Sequence, residues 1–239
     1  MLWGYNTGGG TIPSPVKLSV ESHPHALITG GSGSGKSYAL QYLIGCILQD
    51  ISISDFYICD FKNSHDFEFL ENYEHFYVNT GCFDGIMSYY DRFTQKRQNK
   101  RQRGRSLLII DEYPAFISYL SSIDKLQKTK KASEITNAIA EILMLGRGIN
   151  CGVWIVTQRA DASLFANGAR DNFQVILGLG RMSREQKGMV FTGEEIPDRI
   201  YRQGEGLLLA DGHPLYEIKI PKITNLINWR KHILLSLQK

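Results

Sequence analysis

The chain has 239 residues, 43% of them hydrophobic and 21% charged, with 27 basic against 24 acidic side chains and a formal net charge of +3. This fits one large globular domain, at most with a small appendage, and excludes a disordered tail; the charge balance is too weak to indicate a nucleic-acid partner by itself. The apolar runs, such as Leu107 to Ile110 and Val153 to Val156, fall far short of the ~20 residues of a membrane span, and no basic segment followed by an apolar stretch opens the sequence, so a cytoplasmic protein without a secretory signal is expected.

Gly4 to Pro15, rich in Gly, Thr and Pro, reads as an arm or loop before a short strand at Val16–Val20. Residues 1–20 are therefore assigned to an N-terminal arm and short strand, and residues 21–239 to a single domain. Ala26–Thr29, Phe56–Asp60, Leu107–Ile110, Val153–Thr157 and Val175–Leu179 are strand-length, mostly apolar and often β-branched, the pattern of buried strands. Between them, Lys36–Gln49, Phe83–Arg97 and Glu134–Leu145 space their apolar residues as helices do. Alternation of this kind predicts a mostly parallel sheet flanked by helices, an α/β fold. Beyond Arg181 the pattern gives a helix at Arg184–Val190, strands at Gly206–Ala210 and Leu215–Ile220, and an amphipathic helix at Thr224–Leu237. The turn Asp211-Gly212-His213-Pro214 joins those two strands, which predicts an antiparallel hairpin at the sheet edge. Cys46, Cys59, Cys82 and Cys151 show no CxxC spacing and read as unpaired thiols rather than a zinc site.

Gly30-Gly31-Ser32-Gly33-Ser34-Gly35-Lys36-Ser37 matches G-x-x-x-x-G-K-[ST] between a predicted strand and a predicted helix. Its glycines let successive N–H groups turn inward around phosphate oxygens at the positive end of the helix. Lys36 is suited to the β and γ phosphates of ATP, and Ser37 to Mg²⁺. At average residue frequencies a chance match in a chain this long is an event of roughly one or two per cent, and the flanking elements lower that further.

Leu107-Leu108-Ile109-Ile110-Asp111-Glu112 is an apolar strand ending in two acids, a Walker B pattern. Asp111 is expected to hold Mg²⁺ and Glu112 to orient the water that attacks the γ-phosphate. Asp60 and Lys62 close another strand and are either part of the nucleotide rim or structural. Gln158 ends a third and is either a contact to the γ-phosphate or water, or a loop anchor. Arg147, Arg159, Arg170 and Arg181 are candidates for the cation that stabilises transferring phosphate, and spacing does not choose among them. Lys96, Arg97, Lys100, Arg101, Arg103 and Arg105 form one basic cluster, and Lys125, Lys128, Lys130 and Lys131 a second.

With these motifs in order, the chain resembles the FtsK/SpoIIIE translocases of the HerA/FtsK superfamily. The likeness rests on His23-Pro24-His25-Ala26-Leu27-Ile28-Thr29 leading into the phosphate loop, on Asp60-Phe61-Lys62 with Phe61 in place of the family's proline, and on Gly146-Arg147 followed eleven residues on by Gln158 in Thr157-Gln158-Arg159, where Ala160 replaces a proline. It continues through Asn172-Phe173 and Gly204-Glu205-Gly206, so it runs from about residue 23 to 221. The resemblance implies a RecA-like P-loop core, a hexameric ring around double-stranded DNA with ATP at subunit interfaces, and Arg147 as the finger acting in trans. Membrane helices, linker and winged-helix module, common in the family, find no counterpart here, and the stretch from Glu112 to Glu134 is longer. Its lysines are expected to line the DNA pore. These features look closest to compact members from conjugative or other mobile elements. The implied function is an ATP-driven DNA translocase or loading motor, with a relaxase, replication or membrane-channel component as further partner. The alternatives are an ATPase of a protein-secretion machine and a nucleotide-gated adaptor.

Overall fold

The computed structural model describes residues 1–9, 12–50, 53–99, 104–159 and 171–238. In chain order the strands are β1 (Leu2–Asn6), β2 (Ser14–Lys17), β3 (Ala26–Thr29), β4 (Ile53–Asp60), β5 (Phe76–Val78), β6 (Arg105–Asp111), β7 (Cys151–Thr157), β8 (Val175–Leu179), β9 (Glu205–Ala210) and β10 (Tyr216–Lys219). The helices are α1 (Lys36–Asp50), α2 (Cys82–Gln98), α3 (Tyr113–Gln127), α4 (Lys131–Leu145), α5 (Arg184–Val190) and α6 (Leu226–Leu237). Among the described residues these strands form one sheet in the order β2-β1-β10-β9-β8-β3-β7-β6-β4-β5. The block from β8 to β5 is parallel, and β9, β10, β1 and β2 continue it antiparallel.

The central strands are apolar on both sides because both faces are covered. Successive residues of β6 alternate between two cores. Leu108 and Ile110 pack with α2, α3 and α4, whereas Leu107 and Ile109 pack with α1 on the opposite face. Trp229 of α6 lies against Gly45 of α1 and donates its indole N–H to the Gln41 carbonyl, so α6 forms a second layer over the helix that follows the phosphate loop.

Two features depart from the sequence expectations. The segment read as an arm supplies β1, which pairs with β10 and buries Trp3 against Trp154 with ring centroids 5.5 Å apart. Gly-rich composition hid a short strand whose anchor is a single large aromatic. The C-terminal hairpin forms as β9 and β10, and the N-terminal hairpin extends the sheet beyond it. The segment after Glu112 is also helical: α3 and α4 form a helical hairpin, with Asp124 accepting the backbone N–H groups of Lys131 and Ala132 at the turn. All four cysteines are free and buried.

Candidate functional site

Strands β3, β4, β6 and β7 deliver their last residues to one end of the sheet, the position at which open α/β sheets bind ligands. There the phosphate loop leaves β3 and enters α1. At Gly35 the backbone adopts φ +93°, a conformation costly for any residue with a Cβ, and an added Cβ would lie 3.1 Å from the Gly204 nitrogen. Gly204 in turn donates its N–H to the Ser34 carbonyl at 2.9 Å, so the segment before β9 braces the loop from outside. Lys36 donates to the carbonyls of Gly30 and Gly31 at 2.6 and 3.1 Å. Burial lowers its pKa, Glu112 and Asp111 oppose the shift, and the Lys62 charge adds to it.

Beside the loop lies a cleft of about 420 Å³ whose lining includes Lys36, Ser37, Lys62, Asp111, Glu112 and Gln158. That volume falls in the usual range of small-molecule sites. Asp111 is nearly buried, and burial, with the Asp60 and Glu112 carboxylates nearby, pushes its pKa up to about 7. A divalent cation bound here would favour the ionised form. The oxygen donors in the cleft include the Ser37 hydroxyl and the Asp111 carboxylate, and among the described residues no group of three His, Cys, Asp or Glu side chains that could hold a metal ion forms. A hydroxyl and a carboxylate fit Mg²⁺, which keeps waters and takes substrate phosphate oxygens in place of a full protein cage.

Glu112 follows with φ 56° and ψ 40°, a left-handed conformation uncommon for a non-glycine residue, as it caps α3. Its Oε1 accepts from Lys62 Nζ at 2.6 Å and from Gln158 Nε2 at 3.0 Å. Three strand ends thus converge on one carboxylate. Asp60 takes a different part: fully buried, it accepts from the N–H groups of Lys62, Asn63 and Ser64 and from the Ser64 hydroxyl, which makes it the anchor of the turn carrying Lys62.

Arg147 is not in this cleft. It lies exposed in the turn between α4 and β7, at the amino end of the strands, beside the half-exposed Met144 and Leu145. Arg159 is exposed just beyond β7, Arg181 lies in an open basin beyond β8, and Arg170 lies outside the described residues. Lys125, Lys128 and Lys130 are exposed at the α3–α4 tip, while Lys131 lies over the Phe83 ring at 5.1 Å. In the other basic cluster the described residues are all paired, and Lys96 is buried. Lys96 is buried against Asp55 at 3.4 Å and donates to the Gly104 carbonyl and the Ser106 hydroxyl; Arg97 pairs with Glu141, and Arg105 with Glu21 at 3.3 Å. Lys100, Arg101 and Arg103 lie outside the described residues.

Sequence reasoning missed Gln203, which abuts Gly35, and Arg230 of α6. The Arg230 guanidinium reaches the cleft while donating to the Gln41 side chain at 2.9 Å and the Asp66 carbonyl at 3.2 Å. Neither belongs to a local motif, and only the packing of α6 on α1 brings Arg230 to the cleft.

No family model matches the chain. Over 201 residues it is 30% identical to the FtsK domain-containing protein YdcQ of Bacillus subtilis (strain 168), covering 78% of this chain and 41% of that protein. The chain therefore spans well under half the length of this curated relative. Among solved structures it is similar to the pCW3 conjugation coupling protein TcpA in its monomer form with ATPγS, at 19% identity and a TM-score of 0.76, covering 100% of this chain and 70% of that one. It is also similar to the cytoplasmic domain of the type VII secretion ATPase EccC of Thermomonospora curvata, at 17% identity and a TM-score of 0.74, covering 99% and 30%. The genome-packaging NTPase B204 of Sulfolobus turreted icosahedral virus 2, in complex with ATPγS, matches at 17% identity and a TM-score of 0.54, covering 83% and 98%. The resemblance to FtsK-type ATPases holds in both sequence and fold.

Within this FtsK-type fold the Gly204-Glu205-Gly206 element has a physical reason. A Cβ on Gly206 would collide with the Gly178 carbonyl, so glycine lets β9 approach β8 closely while Gly204 braces the phosphate loop. Among the described residues no helix is long and apolar enough to cross a membrane.

Proposed function

We propose that the chain is a Mg²⁺-dependent, DNA-stimulated ATPase that moves or loads double-stranded DNA as a ring, in the cytoplasm, for a mobile or conjugative element. The observation that carries this reading is the Glu112 carboxylate, held by Lys62 and Gln158 in the same cleft as Lys36, Ser37 and Asp111. In this reading the N–H groups of residues 30–37 and the Lys36 ammonium bind the phosphates of ATP. Ser37 and Asp111 hold Mg²⁺, which when bound neutralises phosphate charge. Glu112 orients the attacking water and accepts its proton, with Gln158 fixing the carboxylate.

Arg147 lies far along the strands from its own cleft, so any action on ATP is on that of a neighbouring subunit. The exposed Met144 and Leu145 beside it suit a surface covered by another copy in a hexamer. The lysines at the α3–α4 tip supply phosphate contacts that do not read sequence. Duplex DNA titrated into the protein should raise the ATPase rate at low salt, an effect that falls steeply as salt rises. Hydrolysis indifferent to duplex DNA would refute the motor reading. The fold likeness to the type VII secretion ATPase supports a second reading, a polypeptide-handling motor, for which an unfolded polypeptide rather than DNA would stimulate turnover.

A further inference from the structure

The pairing of Lys62 with Glu112 bears on how the site distinguishes ATP from ADP. The Lys62 ammonium lies 2.6 Å from Glu112 Oε1, yet the side chain is 47% exposed and lines the cleft that also holds Lys36 and Asp111. Its root does not move freely. The buried Asp60 carboxylate accepts four hydrogen bonds from residues 62–64, Asn63 is left-handed at φ 53°, and the Phe61 ring packs on Phe116 and Tyr119 of α3 at 5.3 and 5.5 Å. A fixed backbone thus carries a flexible four-carbon stem whose compact charge can change partner by rotation alone.

The competing partners differ in charge. Glu112 carries one negative charge, whereas the terminal phosphate of ATP carries more, and charge-assisted hydrogen bonds strengthen with charge. We propose that Lys62 is a positioning residue that senses the γ-phosphate: with ADP it stays on Glu112, and with ATP its ammonium moves to the γ-phosphate and frees Glu112 for water. The move couples two events. The carboxylate becomes available only when there is a γ-phosphate to attack, and Gln158 keeps it oriented after Lys62 leaves. This inference rests on the nucleotide-motor reading.

The test measures dissociation constants for ADP and for ATPγS in wild type, Lys62→Met, Lys62→Arg, Glu112→Gln and the Lys62→Met/Glu112→Gln double variant. Lys62→Met should weaken ATPγS roughly tenfold, the effect of one charge-assisted bond, and leave ADP within about twofold. Lys62→Arg should recover much of the preference for ATPγS. Glu112→Gln should tighten ATPγS by releasing the ammonium from a carboxylate, and the part of that gain due to Lys62 should vanish in the double variant. A purely structural lysine would shift both nucleotides alike, and equal shifts, or none, would overturn the proposal. Wild-type protein that binds neither nucleotide would overturn the motor reading and this inference with it.

Discussion

Replacing Asp55 with alanine should destabilise the protein severely, although the residue lies outside the cleft. Its carboxylate is 14% exposed and accepts from Arg92 Nε at 3.0 Å and from the hydroxyls of Ser54 and Ser106, with the Lys96 ammonium 3.4 Å away. Those hydrogen bonds, with the Lys96 charge, overcome the burial penalty and hold Asp55 below the usual carboxylate range. The Lys96 side chain is only 1% exposed, so removing Asp55 leaves a buried ammonium with neutral acceptors alone. Breaking a buried pair from one side costs about 3–5 kcal/mol. For a chain of this size that corresponds to a fall in melting temperature of roughly 6–20 °C. Lys96→Met keeps the apolar stem and leaves Asp55 its other partners, so its cost should be smaller, roughly 1–2 kcal/mol. Urea unfolding of the two variants and the double variant measures the coupling. Were Lys96 instead part of a DNA-docking surface, Lys96→Met would weaken duplex binding at unchanged stability. That result, or an Asp55→Ala variant within about 0.5 kcal/mol of wild type, would refute the reasoning.

Lys36→Ala should abolish nucleotide binding, whereas Glu112→Gln should retain ATP and lose turnover; wild-type-like hydrolysis in Glu112→Gln would refute its role. Replacing Lys125, Lys128, Lys130 and Lys131 with alanine should cut DNA-stimulated hydrolysis and leave the basal rate nearly intact, which paired ATPase and DNA-affinity titrations would check. Subunits carrying Arg147→Ala and Lys36→Ala, each inactive alone, should recover part of the activity when mixed if Arg147 acts across an interface, and properly mixed assemblies without recovery would count against it. His25 is buried, accepts from the Val153 N–H at Nδ1, and is lowered by burial and the Arg147 charge to about 3 from 6.5. The unfolded chain therefore takes up a proton below pH 6.5 that the folded chain refuses, so stability should be lost from pH 6.5 down towards 3. The slope should be up to about 1.4 kcal/mol per pH unit steeper than in His25→Asn, and equal slopes in urea unfolding would refute this.

The parallel core was legible because its signal is local. Ala26–Thr29 and Val175–Leu179 are continuous apolar runs, and the observed strands have those limits. The phosphate loop and the acids of β6 were legible for the same reason: their chemistry depends on residues adjacent in sequence. What escaped depends on contacts between distant segments. Trp3 looks like part of a Gly-rich tail until Trp154 is beside it. Arg230 is a surface position on an amphipathic helix until α6 lies across α1. Lys96 belonged to a dense basic run whose charge suggested solvent, and only the register of β4 on β6 brings Asp55 and Ser106 against it.

Phe61 shows how a departure from a family pattern can be compensated by physics rather than by identity. The family resemblance implies proline between the aspartate and the lysine, a residue whose fixed φ would stiffen the turn. Here the Asp60 carboxylate accepts from the N–H groups of Lys62, Asn63 and Ser64, and the Phe61 ring is held by two aromatics of α3. The turn is therefore tied to α3, the helix that Glu112 caps and that ends at the lysine-bearing tip. Proline would give the turn local stiffness alone, whereas phenylalanine gives it stiffness by contact with a second element. Displacement of α3 by a polyanion at its tip would press on both the residue beside Lys62 and the residue that Lys62 holds. In this chain the rigidity of the turn therefore depends in part on its contact with α3.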